Sequence, residues 1–232
     1  MGIEASYIGN TMGFGPIKAC STHAASTIFL NIRNKIMDKI TIYLKKDQKV
    51  YFTSDLHFQH NNVIRFCKRP FVDSKDMEIK LIDNWNSVVS NEDIVFDLGD
   101  VVWFDGRHDC KKILDQLNGT HYIILGNHDK VRRFELCAPN KAIICETCTQ
   151  VFIYDVNNHC QELMLSHFPL LTWPHIDNGV INLFGHIHSG PNADPNGVDK
   201  NLNLHPHQMD VGVDAWDYKP ISLDFINSVL KR

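Results

Sequence analysis

Five short clusters in the chain hold side chains able to act together: Asp55-Leu56-His57, Gly99-Asp100, Gly126-Asn127-His128-Asp129, Ser166-His167 and Gly185-His186-Ile187-His188. Aspartate supplies a hard carboxylate and histidine a borderline imidazole, a donor set that first-row divalent cations accept. The D-x-H and H-x-H spacings place two donors at i and i+2, which share one face of an extended chain. Each piece alone has an ordinary alternative. An Asp after a strand caps a helix or forms a turn, Gly-Asp and Gly-Asn are turn sequences, and an isolated histidine is usually a satisfied structural residue. Those alternatives do not readily generate the whole ordered set.

The elements that must position these clusters are visible as periodic patterns. Val50 to Thr53, Ile94 to Leu98 and Tyr122 to Leu125 read as short buried strands, each followed at once by one of the first three clusters. Ile40 to Leu44 reads as an earlier strand. Helical patterns cover 62–67, 75–89 and 108–117, the last stopped by Asn118-Gly119. Val151 to Val156 and Gln161 to Ser166 flank an Asn157-Asn158 turn, and Val180 to Phe184 follows. Strands alternating with helices, then hairpin-like strands, predict a mixed α/β sandwich with polar groups gathered at the carboxyl ends of neighbouring strands. Residues 189–206, rich in Gly, Pro, Asn and His, read as a long loop. The first 36 residues show no sustained period and are expected to be a disordered or peripheral extension of a domain running over 37–232.

Composition narrows the function. A chain of 232 residues, 44% hydrophobic and 22% charged, suits one sizeable domain, and no apolar run approaches the ~20 residues of a membrane span. A net charge of -4 gives no global footprint for nucleic acid, so an anionic substrate has to be attracted locally. Seven scattered cysteines without a secretory signal are expected to be reduced thiols in a cytoplasmic protein. Cys145 and Cys148 read as two thiols around a strand end rather than half of a zinc site.

The ordered series D-L-H, L-G-D, G-N-H-D, S-H and G-H-I-H resembles the calcineurin-like metallophosphoesterase superfamily, from about Lys49 to the C-terminus. Asp55 to Phe66, Arg69-Pro70-Phe71 and Val211 to Trp216 are similar, more narrowly, to small bacterial and phage phosphoesterases of that superfamily. Gln59 stands where these usually have glycine, and Trp103 where an acidic residue is common. The resemblance implies a four-layer α-β-β-α sandwich with two mixed β-sheets and a dimetal site at strand C-terminal ends. It implies that Asp55, His57 and His188 hold one cation, that Asn127, His167 and His186 hold another, and that Asp100 bridges them. A metal-bound hydroxide would attack phosphorus in line while the cations neutralise the phosphoryl oxygens, and two dications less Asp55, Asp100 and the hydroxide leave the centre at about +1.

In the same terms His128 would protonate the leaving oxygen, and Asp129 would orient His128 unless it is only a turn former. Asn127, His60, Asn61 and Arg65 are candidate substrate contacts, and Trp103, Trp173 and the His205-to-His207 loop are candidates to line the pocket. The expected reaction is hydrolysis of a small phosphate ester, a nucleotide-like phosphodiester in preference to a monoester. The alternatives are a nuclease, which would call for a basic stripe or added DNA-binding domain, and a metal-free protein-binding scaffold, which would call for lost ligands. Imidazole-rich, thiolate-free sites with two carboxylates accept Mn, Fe, Zn, Ni or Co, and two divalent ions, Mn foremost, are the expected cofactors.

Overall fold

A computed structural model describes residues 38–103, 110–131, 134, 142–190 and 204–230. The expected N-terminal extension, the first two residues of the helix expected over 108–117, and most of the long loop lie outside the described residues.

Three apolar runs, β2 (Val50–Thr53), β3 (Ile94–Asp97) and β4 (Thr120–Ile124), pair in parallel, with Val50 opposite Ile94 and Ile94 opposite Thr120. Parallel strands covered on both faces need continuous apolar sequence, and β2 and β3 are buried at every position. β5 (Ala142–Cys145) adds in parallel to β4, and β10 (Ile221–Ser222) adds antiparallel to β2, giving a five-stranded sheet in the order β10-β2-β3-β4-β5. The other sheet is built from β1 (Asp38–Tyr43), β6 (Cys148–Tyr154), β7 (Cys160–Ser166), β8 (Ile181–Phe184) and β9 (Gln208–Asp210), in the order β1-β6-β7-β8-β9. Only β6 and β7 run antiparallel there, as a hairpin closed by the expected turn, where Asp155 Oδ1 accepts the N–H groups of Asn157 and His159 at 2.8 Å each.

Alternation along the strands sorts residues between two cores. Phe52, Phe96, Leu98 and Ile124 meet Val151, Ile153, Leu163, Leu165, Ile181 and Leu183 of the other sheet. Tyr51, Val95 and Ile123, on the opposite face, pack under Met77, Leu81 and Trp85 of α2 (Ser74–Asn86) and Ile113 and Leu114 of α3 (Cys110–Leu114). The 77/81/85 spacing is one stripe of a helix, and Asp73 starts that helix by accepting the N–H groups of Lys75 and Asp76. Each such side chain contributes roughly 1.5–3 kcal/mol by leaving water. Together they fix the plane from which the carboxyl ends of β2, β3 and β4 emerge.

The expected mixed α/β architecture with two mixed sheets is present. No helix among the described residues is long and apolar enough to cross a membrane. Four elements carried no pattern in the sequence: β5, β9, β10 and the helix α4 (Leu223–Val229). The first three have four, three and two residues, too short for a period to register. The short helix α1 (Asn61–Phe66) and a 3-10 turn at Val213–Ala215 complete the surroundings of the site.

Candidate metal centre

The side chains of the D-x-H and H-x-H motifs converge by a route other than extended chain. Asp55 and His57 lie beyond the end of β2, His186 and His188 beyond β8, and Asp100 beyond β3. All five are left-handed, with φ of 58°, 50°, 72°, 46° and 57° in that order. A non-glycine residue in that region costs about 1–2 kcal/mol, and five together are tolerated only where surrounding structure over-determines them. Backbone bonds do this: Asp55 N–H donates to Gly99 O and His57 N–H to Asp100 O, both at 2.9 Å, continuing the β2–β3 pairing past the strands. Gly126 and Gly185 allow the closest approaches. A Cβ on Gly126 would lie 2.3 Å from Asp100 Oδ1, and one on Gly185 would lie 2.5 Å from Asp55 Oδ2.

The resulting cluster is rich in lone pairs. Asp55 Oδ2 accepts the His186 N–H at 2.8 Å, whereas Asp55 Oδ1 and His57 Nε2 are buried with no hydrogen-bond partner. His167 Nδ1 donates to Leu98 O at 2.7 Å, so Nε2 of the neutral ring is a lone pair, yet it faces Asn127 Oδ1 at 2.9 Å and Asp100 Oδ2 at 3.5 Å. Three acceptors meeting in this way require a cation or a proton between them. Asp100 Oδ2 also lies 3.6 Å from His57 Nε2, and Asp100 Oδ1 accepts the His128 N–H at 2.9 Å. The donor atoms of Asp55, His57 and His188 fall within 4.8 Å of one another, as do those of Asp55, Asp100 and His167.

Electrostatics divide the cluster. Burial raises the pKa of Asp55. For His188 burial lowers it, but the Asp214 hydrogen bond and the Asp55 charge outweigh burial and lift it to about 10, so these two hold protons until a cation displaces them. Burial, helped by neighbouring His188, drives the proton from His57 and lowers its pKa to about 2, which leaves a neutral donor. Burial raises the pKa of Asp100, but the His167 ring and the His128 N–H outweigh it and hold the group ionised, at about 2. For His167 the balance reverses: burial lowers the pKa, and the Asp100 and Asp55 carboxylates lift it above the ordinary value.

Behind the donors stands a layer of polar groups that the motifs alone did not mark. Arg69, 4% exposed, donates through Nε and Nη2 to both oxygens of Asp214 at 2.7 and 2.8 Å, and also to the carbonyls of Asp55 and Leu56 at 2.7 and 3.0 Å. Asp214 Oδ2 in turn accepts from His188 Nδ1 at 2.9 Å, leaving His188 Nε2 to point toward Asp55 Oδ1, 3.8 Å away. Cys67 joins His188 and Asp214 in a further group of donor atoms, but the Asp214 oxygens there are already engaged by Arg69 and His188.

No family model matches the chain. An uncharacterized protein of Methanocaldococcus jannaschii, MJ1445, is 32% identical over 190 residues, an alignment that covers 80% of this chain and 93% of that protein. The chain belongs to the family of that archaeal protein. A gene 66 protein of Mycobacterium phage D29 is 30% identical over 72% of this chain and 88% of its own length, and the gene 66 protein of Mycobacterium phage L5 is 27% identical over 72% and 86%. The crystal structure of a protein of unknown function from Aquifex aeolicus superposes with a TM-score of 0.55 at 25% identity, covering 79% of this chain and 100% of that one.

In this member of the family the remaining expected site residues divide. His128, its side chain 42% exposed, has Nε2 3.9 Å from Asp100 Oδ2 and so borders the cluster. His60 also borders it, 5.3 Å from the His57 ring and stacked on Trp103 at 3.9 Å. Asp129 is corrected from orienting His128 to bracing the backbone: Oδ2 accepts the N–H groups of Asp100 and Gly126 at 2.7 and 2.8 Å, and Oδ1 that of Val101 at 3.2 Å. Asn61 and Arg65, expected as substrate contacts, both make contacts within the chain. Asn61 Oδ1 accepts the Ser74 N–H at 2.8 Å and so joins α1 to α2, and the Arg65 guanidinium lies over the exposed Phe66 ring. Trp173 is corrected from pocket lining to a small core with Met164 and Val180, where its Nε1–H donates to Val180 O at 2.8 Å. His205 packs against Trp173.

Proposed function

We propose that the chain is a calcineurin-like metallophosphoesterase that hydrolyses a small phosphate ester, a phosphodiester in preference, with two divalent cations held by Asp55, His57, Asp100, Asn127, His167, His186 and His188. The observation that carries this reading is a pair of buried acceptors without donors, Asp55 Oδ1 and His57 Nε2, the latter 3.6 Å from the Asp100 carboxylate. A structural role would require these groups to be paired, since leaving buried polar atoms unsatisfied costs about 1–3 kcal/mol each. The donors are imidazole and carboxylate, a set that suits Mn, and also Fe, Zn, Ni or Co. In this reading the two sheets form the inner layers of a four-layer α-β-β-α sandwich.

When bound, the cations supply Lewis-acid charge on the phosphoryl oxygens and lower the pKa of water. The chain's own residues do the rest. Asp100, reaching His57 on one side and His167 on the other, is the carboxylate placed to be shared between the two groups of donors. His128 presents an exposed imidazole next to Asp100 and supplies the proton to the departing oxygen. The Asn127 carboxamide, beside His167, can bind both a cation and a phosphoryl oxygen. Arg69 and Asp214 keep His188 aimed at Asp55.

Hydrolysis of bis-p-nitrophenyl phosphate by the Mn-loaded protein, set against p-nitrophenyl phosphate, tests activity and the diester preference together. Two metal equivalents per chain and turnover lost on chelation are expected, with Asp100→Asn lowering metal content and turnover in step. Full metal occupancy in Asp100→Asn would remove the shared carboxylate from the reading.

A further inference from the structure

We propose that Trp103 is a substrate-contacting platform that selects a phosphate ester bearing a planar ring, an aryl or nucleobase-like group, on the leaving-group side of the centre. The proposal rests on the reading above for the role of His128, and it deepens that reading by giving the substrate a chemical class.

Two groups of rings border the cluster. In one, Phe168 lies 4.4 Å from the His186 ring, and His186 lies 5.1 Å from His167. In the other, His188 stacks at 5.1 Å on His57, which is 5.3 Å from His60 and 5.7 Å from His128. Both His60 and His128 then meet Trp103: His60 stacks on the indole at 3.9 Å with an interplanar angle of 9°, and His128 lies against it at 5.0 Å and 52°. Every imidazole in these groups is an expected metal ligand, proton donor or near neighbour of one. The indole is none of these, yet it is held in place, with its backbone N–H donating to Phe58 O at 2.9 Å and the bridge between Phe58 and Val102 just before it.

Position gives the platform its use. A group that protonates the leaving oxygen must lie within hydrogen-bond reach of it, so whatever is esterified to that oxygen leaves past His128. Trp103 is the next ring beyond His128, and His60 backs one face of the indole, which keeps it from turning away. An indole fixed in this way favours a planar, polarisable partner, because base–aromatic stacking is insensitive to base identity and strong relative to an alkyl contact.

The test separates this proposal from the proposed activity by reading binding rather than turnover. Phenylphosphonate and methylphosphonate carry the same head group and neither is hydrolysed, so calorimetric titration of each into the full-length, Mn-loaded protein isolates the ring. Wild type is expected to bind phenylphosphonate about tenfold or more tighter. Trp103→Ala should reduce that ratio to near one while leaving methylphosphonate affinity and metal content unchanged, and Trp103→Phe should keep most of it. Equal affinities in wild type would overturn the proposal, as would a ratio that survives Trp103→Ala or one that Phe168→Ala abolishes instead. Loss of methylphosphonate binding in Trp103→Ala and Trp103→Phe alike would show a scaffold role only and would also overturn it. Turnover of bis-p-nitrophenyl phosphate, measured alongside, reports on the phosphoesterase reading alone.

Discussion

Asp214 Oδ2 accepts a hydrogen bond from His188 Nδ1 at 2.9 Å while both oxygens of the same carboxylate are gripped by Arg69. The pairing fixes the His188 tautomer with its hydrogen on Nδ1, so that Nε2 faces Asp55, and outer partners of this kind typically change metal affinity by about 10–100-fold when removed. Asp214→Asn is expected to lower Mn affinity at the Asp55/His57/His188 group by that order, leaving one tightly held equivalent in place of two by elemental analysis after gel filtration. It should also destabilise the fold by about 3–5 kcal/mol, because Arg69 would be left as a buried cation without its counterion. Two tightly bound equivalents in the variant would show that Asp214 serves Arg69 alone.

Asp129 makes a different kind of contribution. Its carboxylate gathers the N–H groups of Asp100, Val101 and Gly126, and so pins the loop after β3 to the loop after β4. Asp129→Asn is therefore expected to weaken metal binding and to lower the unfolding free energy by about 1–3 kcal/mol, since an amide cannot accept at both ends and one buried N–H loses its partner. A residue that merely oriented His128 would instead lower turnover with metal content and thermal stability intact. Parallel measurement of the three quantities decides between them.

The residues proposed as metal donors stood out in the sequence because each sits at a fixed short spacing after an apolar strand, and strand ends are what parallel topology brings together. The cause of their convergence was not readable. The i, i+2 pairs appeared to be extended chain, whereas Asp55, His57, His186 and His188 are left-handed residues held by contacts between β2, β3 and β8. No local pattern encodes that strain. Arg69 and Asp214 stood in recognisable motifs, but their pairing spans 145 positions and depends on packing that no spacing rule reaches. Asn61 and Arg65 follow His60 in sequence, but the contacts they make with the Ser74 N–H and the Phe66 ring were not legible from that position.

His128 borders the cluster without being needed to build it, since its contact with Asp100 Oδ1 comes from its backbone N–H and its ring is free to protonate a leaving group. His128→Ala keeps that N–H. It should retain two metal equivalents and lose ~10²-fold or more in turnover of substrates with poor leaving groups. The loss should be smaller for p-nitrophenyl esters, whose leaving oxygen needs little protonation. A loss that is equal across leaving groups would assign His128 to phosphate binding rather than proton transfer.

Asp210, at the end of β9, offers a pH-dependent signature on a group that is not itself a proposed metal ligand. Its buried carboxyl accepts the Gly212 N–H at 2.7 Å and the Ser189 hydroxyl. Burial pushes its pKa up to about 7 against the pull of those bonds and of one from the Ser189 backbone N–H, with the Asp55 charge adding to the rise. In the unfolded chain the same group titrates near ~3.9. The folded state thus binds the extra proton between about pH 4 and 7, so this contribution to stability is complete below about pH 4 and is lost as pH rises through 7. Asp210→Asn places a permanently neutral group of the same shape there, able to donate to Ser189 and accept from Gly212. In chelator-treated protein, urea unfolding should give nearly equal stability for variant and wild type near pH 4. The variant should then gain a growing advantage that levels off above pH 7 at roughly 3–4 kcal/mol. A constant difference across that range would mean that Asp210 is ionised throughout and that its hydrogen bonds, rather than its proton, hold the turn after β9.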